Sequence, residues 1–119
     1  MSVFGIYLKS KIHMAVVTDK NLNYTGSIEI DEEIMKLSNV KEGEMVLVAN
    51  VNNGERFLTY VIRGEKGSRK IVLNGAAARR AEIGDRIIIM SFAIASPEEQ
   101  VKPVVVILNE KNDIVEVRD

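Results

Sequence analysis

A serine preceded by glycine can cut its own chain, and this sequence carries such a pair at Gly26-Ser27. The serine hydroxyl attacks the carbonyl of the residue before it and moves the acyl group from nitrogen to oxygen. Glycine suits that preceding position, because it tolerates a strained backbone and leaves its carbonyl uncrowded. Elimination across Cα–Cβ then leaves Gly26 as a new C-terminus and a dehydroalanine at position 27. Hydrolysis of that residue gives an N-terminal pyruvoyl group. Such a ketone is an electron sink and needs no pyridoxal phosphate. A Gly-Ser pair by itself is a common turn, and Gly67-Ser68 reads as one. The surroundings must decide.

Those surroundings are mostly strands. Apolar, β-branched runs at Met45 to Val51, Ile87 to Ile94 and Val104 to Leu108 read as strands buried on both faces. Shorter strands are expected at Ile12 to Thr18, Ser27 to Ile30, Phe57 to Ile62 and Lys70 to Leu73, with a last edge strand at Asp113 to Val117. Asn52-Asn53-Gly54 is a turn signal between two of them. Many short strands in a small chain favour a closed barrel, which leaves no exposed edge. Two short helices interrupt the pattern. Asp31 caps the first, with Glu32 and Glu33 in its opening turn, Ile34, Leu37 and Met35 on its buried side, and Gly43 beyond its end. The second runs from Gly75 to Ala81, with Asn74 as its cap and Gly84 past its end. No internal repeat is visible.

Composition narrows the function classes. A chain of 119 residues, 46% hydrophobic, suits one domain with a real core. Sixteen basic residues against 17 acidic leave a net charge of −1, without the basic excess of a nucleic-acid binder. The absence of cysteine removes disulfides, thiolate zinc sites and a cysteine nucleophile. The lone His13 cannot build a metal site by itself. No apolar run approaches the roughly 20 residues that span a bilayer. The opening Met1-Ser2-Val3-Phe4-Gly5-Ile6 lacks the order of a secretory signal, so a cytoplasmic location without membrane contact is expected.

Several short segments, taken in order and spacing, are far more specific than the cleavage pair. They are Lys11-Ile12-His13, Tyr24-Thr25-Gly26-Ser27-Ile28, Asn52-Asn53-Gly54-Glu55-Arg56-Phe57, Thr59-Tyr60, Gly67-Ser68-Arg69 and Leu73-Asn74-Gly75-Ala76-Ala77-Ala78. From about Lys11 to Phe92 the chain resembles the aspartate 1-decarboxylase family, small pyruvoyl enzymes of pantothenate synthesis. The resemblance implies a mainly β fold, a six-stranded double-psi β-barrel with short helices. It implies a homotetramer whose single domain, 1–119, cuts itself into a β chain (1–26) and an α chain (27–119). It further implies that Ser27 becomes the pyruvoyl that condenses with L-aspartate, and that Tyr60 is the proton donor. Thr59, Gly75, Ala76 and Ala77 would contact substrate, Lys11 and Arg56 would be its cationic partners, and Asn74 would support the site. No metal and no pyridoxal phosphate are implied.

The residue types suit these roles. A tyrosine, with a reference pKa near 10, is protonated at neutral pH and can return a proton to the former α-carbon. Arg56 can grip a carboxylate through two parallel bonds, and Lys11 adds a point charge. Unpaired N–H groups at a helix start, flanked by tiny side chains, admit a carboxylate at Gly75-Ala76-Ala77. Outside the family, Tyr60 also reads as a packed strand aromatic, the cations as solvated surface, and the small residues as a packing device. Geometry adds a tension. In a regular strand Arg56 and Tyr60 share a face while Thr59 points the other way, and Arg56 lies roughly 13 Å from Tyr60 along the backbone. Either the active site lies between subunits, or a bulge turns Thr59 inward. Thr59 could instead polarise the Gly26 carbonyl during self-cleavage.

Three rival readings remain at this level: a non-enzymatic binding barrel, an aspartic-protease-like half barrel, and a pyruvoyl decarboxylase for another amino acid. The second lacks its Asp-Thr-Gly or Asp-Ser-Gly. Gly64-Glu65-Lys66-Gly67-Ser68 lacks the order of a phosphate loop.

Overall fold

Strand-forming side chains alternate along most of the chain, and in the computed structural model, which describes residues 3–119, nine strands form one continuous sheet. They are β1 (Gly5–Val16), β2 (Asp19–Asn21), β3 (Ser27–Asp31), β4 (Met45–Asn50), β5 (Arg56–Gly64), β6 (Ile71–Asn74), β7 (Arg86–Ala95), β8 (Val104–Leu108) and β9 (Ile114–Arg118). Helix α1 (Glu32–Ser38) follows β3, and a 3-10 helix (Gly75–Arg80) follows β6. Met1 and Ser2, which open the segment read for a secretory signal, lie outside the described residues.

The expected six-stranded barrel sits within these nine. Strand β1 continues through Val17 and Thr18 into β2, so the two act as one bent strand. The sheet order β2-β6-β3-β5-β4-β7-β1 therefore returns to its own start and closes a ring of six. Thr18 seals the joint: its N–H and Oγ1 both donate to the Ile71 carbonyl, at 2.9 and 3.2 Å. Strand β1 pairs antiparallel with β7 while its continuation β2 runs parallel to β6. In the same way β5 pairs antiparallel with β4 and parallel to β3. Two long strands that each change partner and sense make the paired crossings of a double-psi barrel. The class is mainly β with short helices, as expected. Strands β8 and β9 are an added hairpin laid parallel to β1.

The same order of strand, strand, helix, strand occurs twice, as β1-β3-α1-β4 and as β5-β6-3-10 helix-β7. Its hydrogen bonds repeat as well. Gly43 N donates to Val61 O at 2.7 Å, and Gly84 N to Val17 O at 2.8 Å. The return bonds, Val61 N to Glu44 O and Val17 N to Asp85 O, are both 3.0 Å. At these bonds the side chains match as well, Gly43 with Gly84, Glu44 with Asp85 and Val61 with Val17.

Burial corrects two readings. The runs in β4 and β7 are buried on one face only: Val46, Val48, Ile87 and Ile89 point inward, while Met45 and Ile94 are 64% and 75% exposed. In α1 the buried side is Ile34, Met35 and Ser38, and Leu37 faces out. That helix ends on Asn39 in the left-handed region, whose N–H returns to Lys36 and Met35 carbonyls, well before Gly43.

The Asp31 cap does more than start α1. Its fully buried Oδ1 accepts from Glu33 N at 2.8 Å and Gly67 N at 2.9 Å, and Oδ2 from Arg69 N at 2.7 Å. Burial by itself would raise this carboxyl's pKa. The three backbone donors and the nearby Arg69 guanidinium outweigh it, so the pKa lies below the ordinary value. One carboxylate thus ties the loop before β6 to the first helix.

Candidate active site

Ser27 is 1% exposed and lies opposite Asn74 in the antiparallel β3·β6 ladder. Asn74 stands at the N-cap of the 3-10 helix but makes no side-chain cap bond. Its Nδ2 donates instead to Ser27 Oγ, at 3.0 Å. That bond holds the hydroxyl on the cleavage pair. Ser27 Oγ also makes a long contact of 3.5 Å to the Thr25 carbonyl.

Gly75 lets these parts meet. Its φ is +64°, which favours glycine, and a Cβ there would sit 2.7 Å from Gly26 Cα, 2.8 Å from Gly26 N and 2.9 Å from Tyr24 O. The start of the helix therefore presses directly on the backbone of the pair. Around Gly26 itself a Cβ would meet nothing within 4 Å. The glycine faces open space.

That space is a cleft of about 420 Å³ lined by Gly26, Phe57, Leu58, Thr59, Tyr60, Ala76, Ala77 and Arg80. Strand β5 runs parallel to β3 with Ile28 level with Val61, so one step back Ser27 comes level with Tyr60. One chain thus gathers Gly26, Thr59, Tyr60, Ala76 and Ala77 around the cleft, with Ser27, Asn74 and Gly75 directly behind Gly26. Tyr60 is 43% exposed on the outer face of β5. The β4·β5 ladder runs without a register shift from Tyr60 to Arg56, so no bulge redirects Thr59. It points inward by ordinary alternation, and four successive residues of β5, Phe57 to Tyr60, line the cleft.

Lys11 and Arg56 do not line this cleft. Lys11 lies between buried Ser10 and Ile12 and so projects from the outside of β1. Through the ladders Lys11↔Met90, Met90↔Leu47 and Leu47↔Leu58, it shares one outer surface with Leu58, Tyr60 and Arg56. This surface is apolar over four strands. It includes Ile6, Met45, Phe92 and Ile94, which with Glu44 line a second groove of about 350 Å³.

Arg80 and the apolar walls Phe57 and Leu58 were not expected in the cleft. The signal for Arg80 was present: residues three apart in a 3-10 helix eclipse each other, which places Arg80 directly over Ala77. Among the described residues no helix is long and apolar enough to cross a membrane.

The family model for aspartate decarboxylase matches residues 3–115 of this chain. An aspartate 1-decarboxylase of Thermotoga sp. (strain RQ2) is 64% identical over 114 residues, which cover 96% of this chain and 98% of that protein. One from Thermosipho melanesiensis is 61% identical, covering 96% of each chain, and one from Wolinella succinogenes is 58% identical, covering 93% of each.

Proposed function

Since this chain belongs to the aspartate decarboxylase family, we propose that it converts L-aspartate to β-alanine and carbon dioxide through a pyruvoyl group made from its own Ser27. It is a carboxy-lyase, and β-alanine is the product that pantothenate synthesis consumes. The observation that carries the pyruvoyl reading is the Ser27–Asn74 bond beside an open Gly26. A buried serine hydroxyl, held by one donor at the edge of a cleft, fits a group that must first attack its neighbour and then face substrate.

The pyruvoyl ketone would supply the electron sink for decarboxylation. The chain's own residues do the rest. Before the cut, Asn74 holds Ser27 Oγ in the buried ladder. Thr59 and the small Ala76 and Ala77 shape the space in which substrate lies, while Gly75 keeps the helix start against Gly26. Tyr60, level with Ser27 and lining the cleft, is placed to deliver its phenol proton to the former α-carbon. The cut at Gly26-Ser27 divides the chain into 1–26 and 27–119. The short strand β2 and the loop after it would remain attached to β1, paired to β6 across the cut.

The placement of Lys11 and Arg56 supports active sites shared between subunits. Both cations sit on the same unpartnered apolar surface as Tyr60, and neither reaches the cleft of its own chain. A second copy docked there would bury Met45, Phe92 and Ile94 and bring cations to the cleft mouth, as the homotetramer implied by the resemblance requires. A cytoplasmic location fits a substrate and product of central metabolism.

Denaturing mass spectrometry with assay of carbon dioxide release tests the proposal. Mature protein yields two fragments, one ending at Gly26 and the other beginning with pyruvoyl at position 27, and Ser27→Ala yields one chain without activity. A single intact chain that still decarboxylates aspartate would refute the pyruvoyl mechanism. Preference for a neutral or basic amino acid would refute the substrate.

A further inference from the structure

Arg80 is the one cation among the described residues that line the cleft. It ends the 3-10 helix, and its Nη1 lies 2.8 Å from Glu55 Oε2 with both side chains about half exposed. The backbone beneath it is fixed. Asn50 Nδ2 and Asn53 Nδ2 both donate to the Arg80 carbonyl, at 3.1 and 3.0 Å. Asn50 Nδ2 also reaches Asp85 Oδ2 at 2.9 Å, so the turn before β5 and the end of the helix form one corner. The guanidinium is therefore carried on an anchored base, paired with Glu55 at the wall of the cleft.

We propose that Arg80 selects the dianionic substrate: as aspartate enters, the guanidinium leaves Glu55 and takes the carboxylate that the reaction retains. The proposal rests on the decarboxylase reading above and adds a specificity determinant to it. An exposed ion pair contributes little to stability, so exchanging it costs little. In the cleft the same fork meets a carboxylate through two parallel bonds against the apolar walls of Phe57 and Leu58. The retained carboxylate is the partner because a cation fixed on the departing one would stabilise the ground state and slow its loss. An amino acid with no second carboxylate gains nothing from Arg80. Glu55 competes with substrate for the guanidinium and thereby sets how tightly the cleft holds aspartate.

Steady-state decarboxylation by the processed protein, with intact mass to follow cleavage, tests this with Arg80→Gln, Arg80→Lys and Glu55→Gln. The neighbouring Arg79→Gln removes the same charge from the same helix without touching the cleft. In Arg80→Gln, cleavage at Gly26 goes to completion, KM for aspartate rises about tenfold and kcat changes less than about twofold. Arg80→Lys recovers part of the loss. Glu55→Gln lowers KM about twofold, and Arg79→Gln matches the parent. An Arg80→Gln protein with the parent's KM, or with its loss confined to kcat, overturns the proposal and leaves the decarboxylase reading standing. So does failure of that variant to cleave, or a Glu55→Gln protein whose KM rises as far as that of Arg80→Gln. A parent protein that neither cleaves nor releases carbon dioxide from aspartate overturns the underlying reading.

Discussion

Replacing Gly75 by alanine separates backbone strain from the contact that the site needs. The left-handed φ of +64° costs an L-residue about 1–2 kcal/mol. The added Cβ also overlaps backbone atoms of Gly26 and Tyr24 at 2.7 to 2.9 Å, and these cannot rotate away as a side chain would. Overpacking of this kind costs about 1–3 kcal/mol. Gly75→Ala is therefore expected to lose about 2–5 kcal/mol in all. Gly43 provides the comparison: its φ is +86° and a Cβ there meets nothing within 4 Å, so Gly43→Ala carries the strain alone. Urea unfolding is measured in a Ser27→Ala background, which keeps every variant a single chain, at matched protein concentration. In parallel, the cutting rate is followed by intact mass in chains that keep Ser27. Gly75→Ala should be the less stable by about 1–3 kcal/mol and should cut more slowly, since relief of the overlap displaces Gly26. Equal destabilisation with parental cutting in both variants would refute the claim that the helix start presses on the cleavage pair.

Other expectations follow from single groups. Asn74→Ala removes the donor to buried Ser27 Oγ, costs about 1–2 kcal/mol and slows cutting, read by intact mass; parental cutting would discount the bond. Tyr60→Phe leaves cleavage intact and lowers kcat by about 10²–10⁴ if its phenol is the proton donor, whereas an unchanged kcat removes it from that role. Met45→Lys places a charge on the outer apolar surface and should dissociate the assembly in analytical ultracentrifugation, with loss of decarboxylation; an intact, active oligomer would place the interface elsewhere. Asp31 has a depressed folded pKa, so its contribution is fully present above the ordinary carboxylate value and is lost as pH falls through the folded one. Asp31→Asn should therefore destabilise clearly at pH 7, and the gap from the parent should narrow in acid; a gap independent of pH would argue against the buried charge.

Most of the strands, the turn at Asn52-Asn53-Gly54 and the α1 cap at Asp31 were legible in the sequence because each depends on neighbours a few residues apart; the first half of β1 and the short β2 were not. Alternation, a turn signal and a capping carboxylate are local properties. That Gly26, Tyr60, Ala76 and Ala77 come together was also legible, through the spacing of motifs shared with a family. Other long-range contacts were not. Nothing local says that Asn74 gives up its own helix to hold Ser27, 47 residues away. The repeated half of the barrel is marked only by scattered matches such as Gly43 with Gly84 and Val61 with Val17, too brief to stand out as a repeat along the chain. The apolar runs of β4 and β7 looked buried on both faces because side-chain hydrophobicity does not say which face the rest of the chain covers, and here it covers only one. Only the tertiary structure separated Lys11 and Arg56 from the cleft and put Arg80 into it. Which side of a closed sheet a residue faces, and what lies across from it, is settled by how the ring closes.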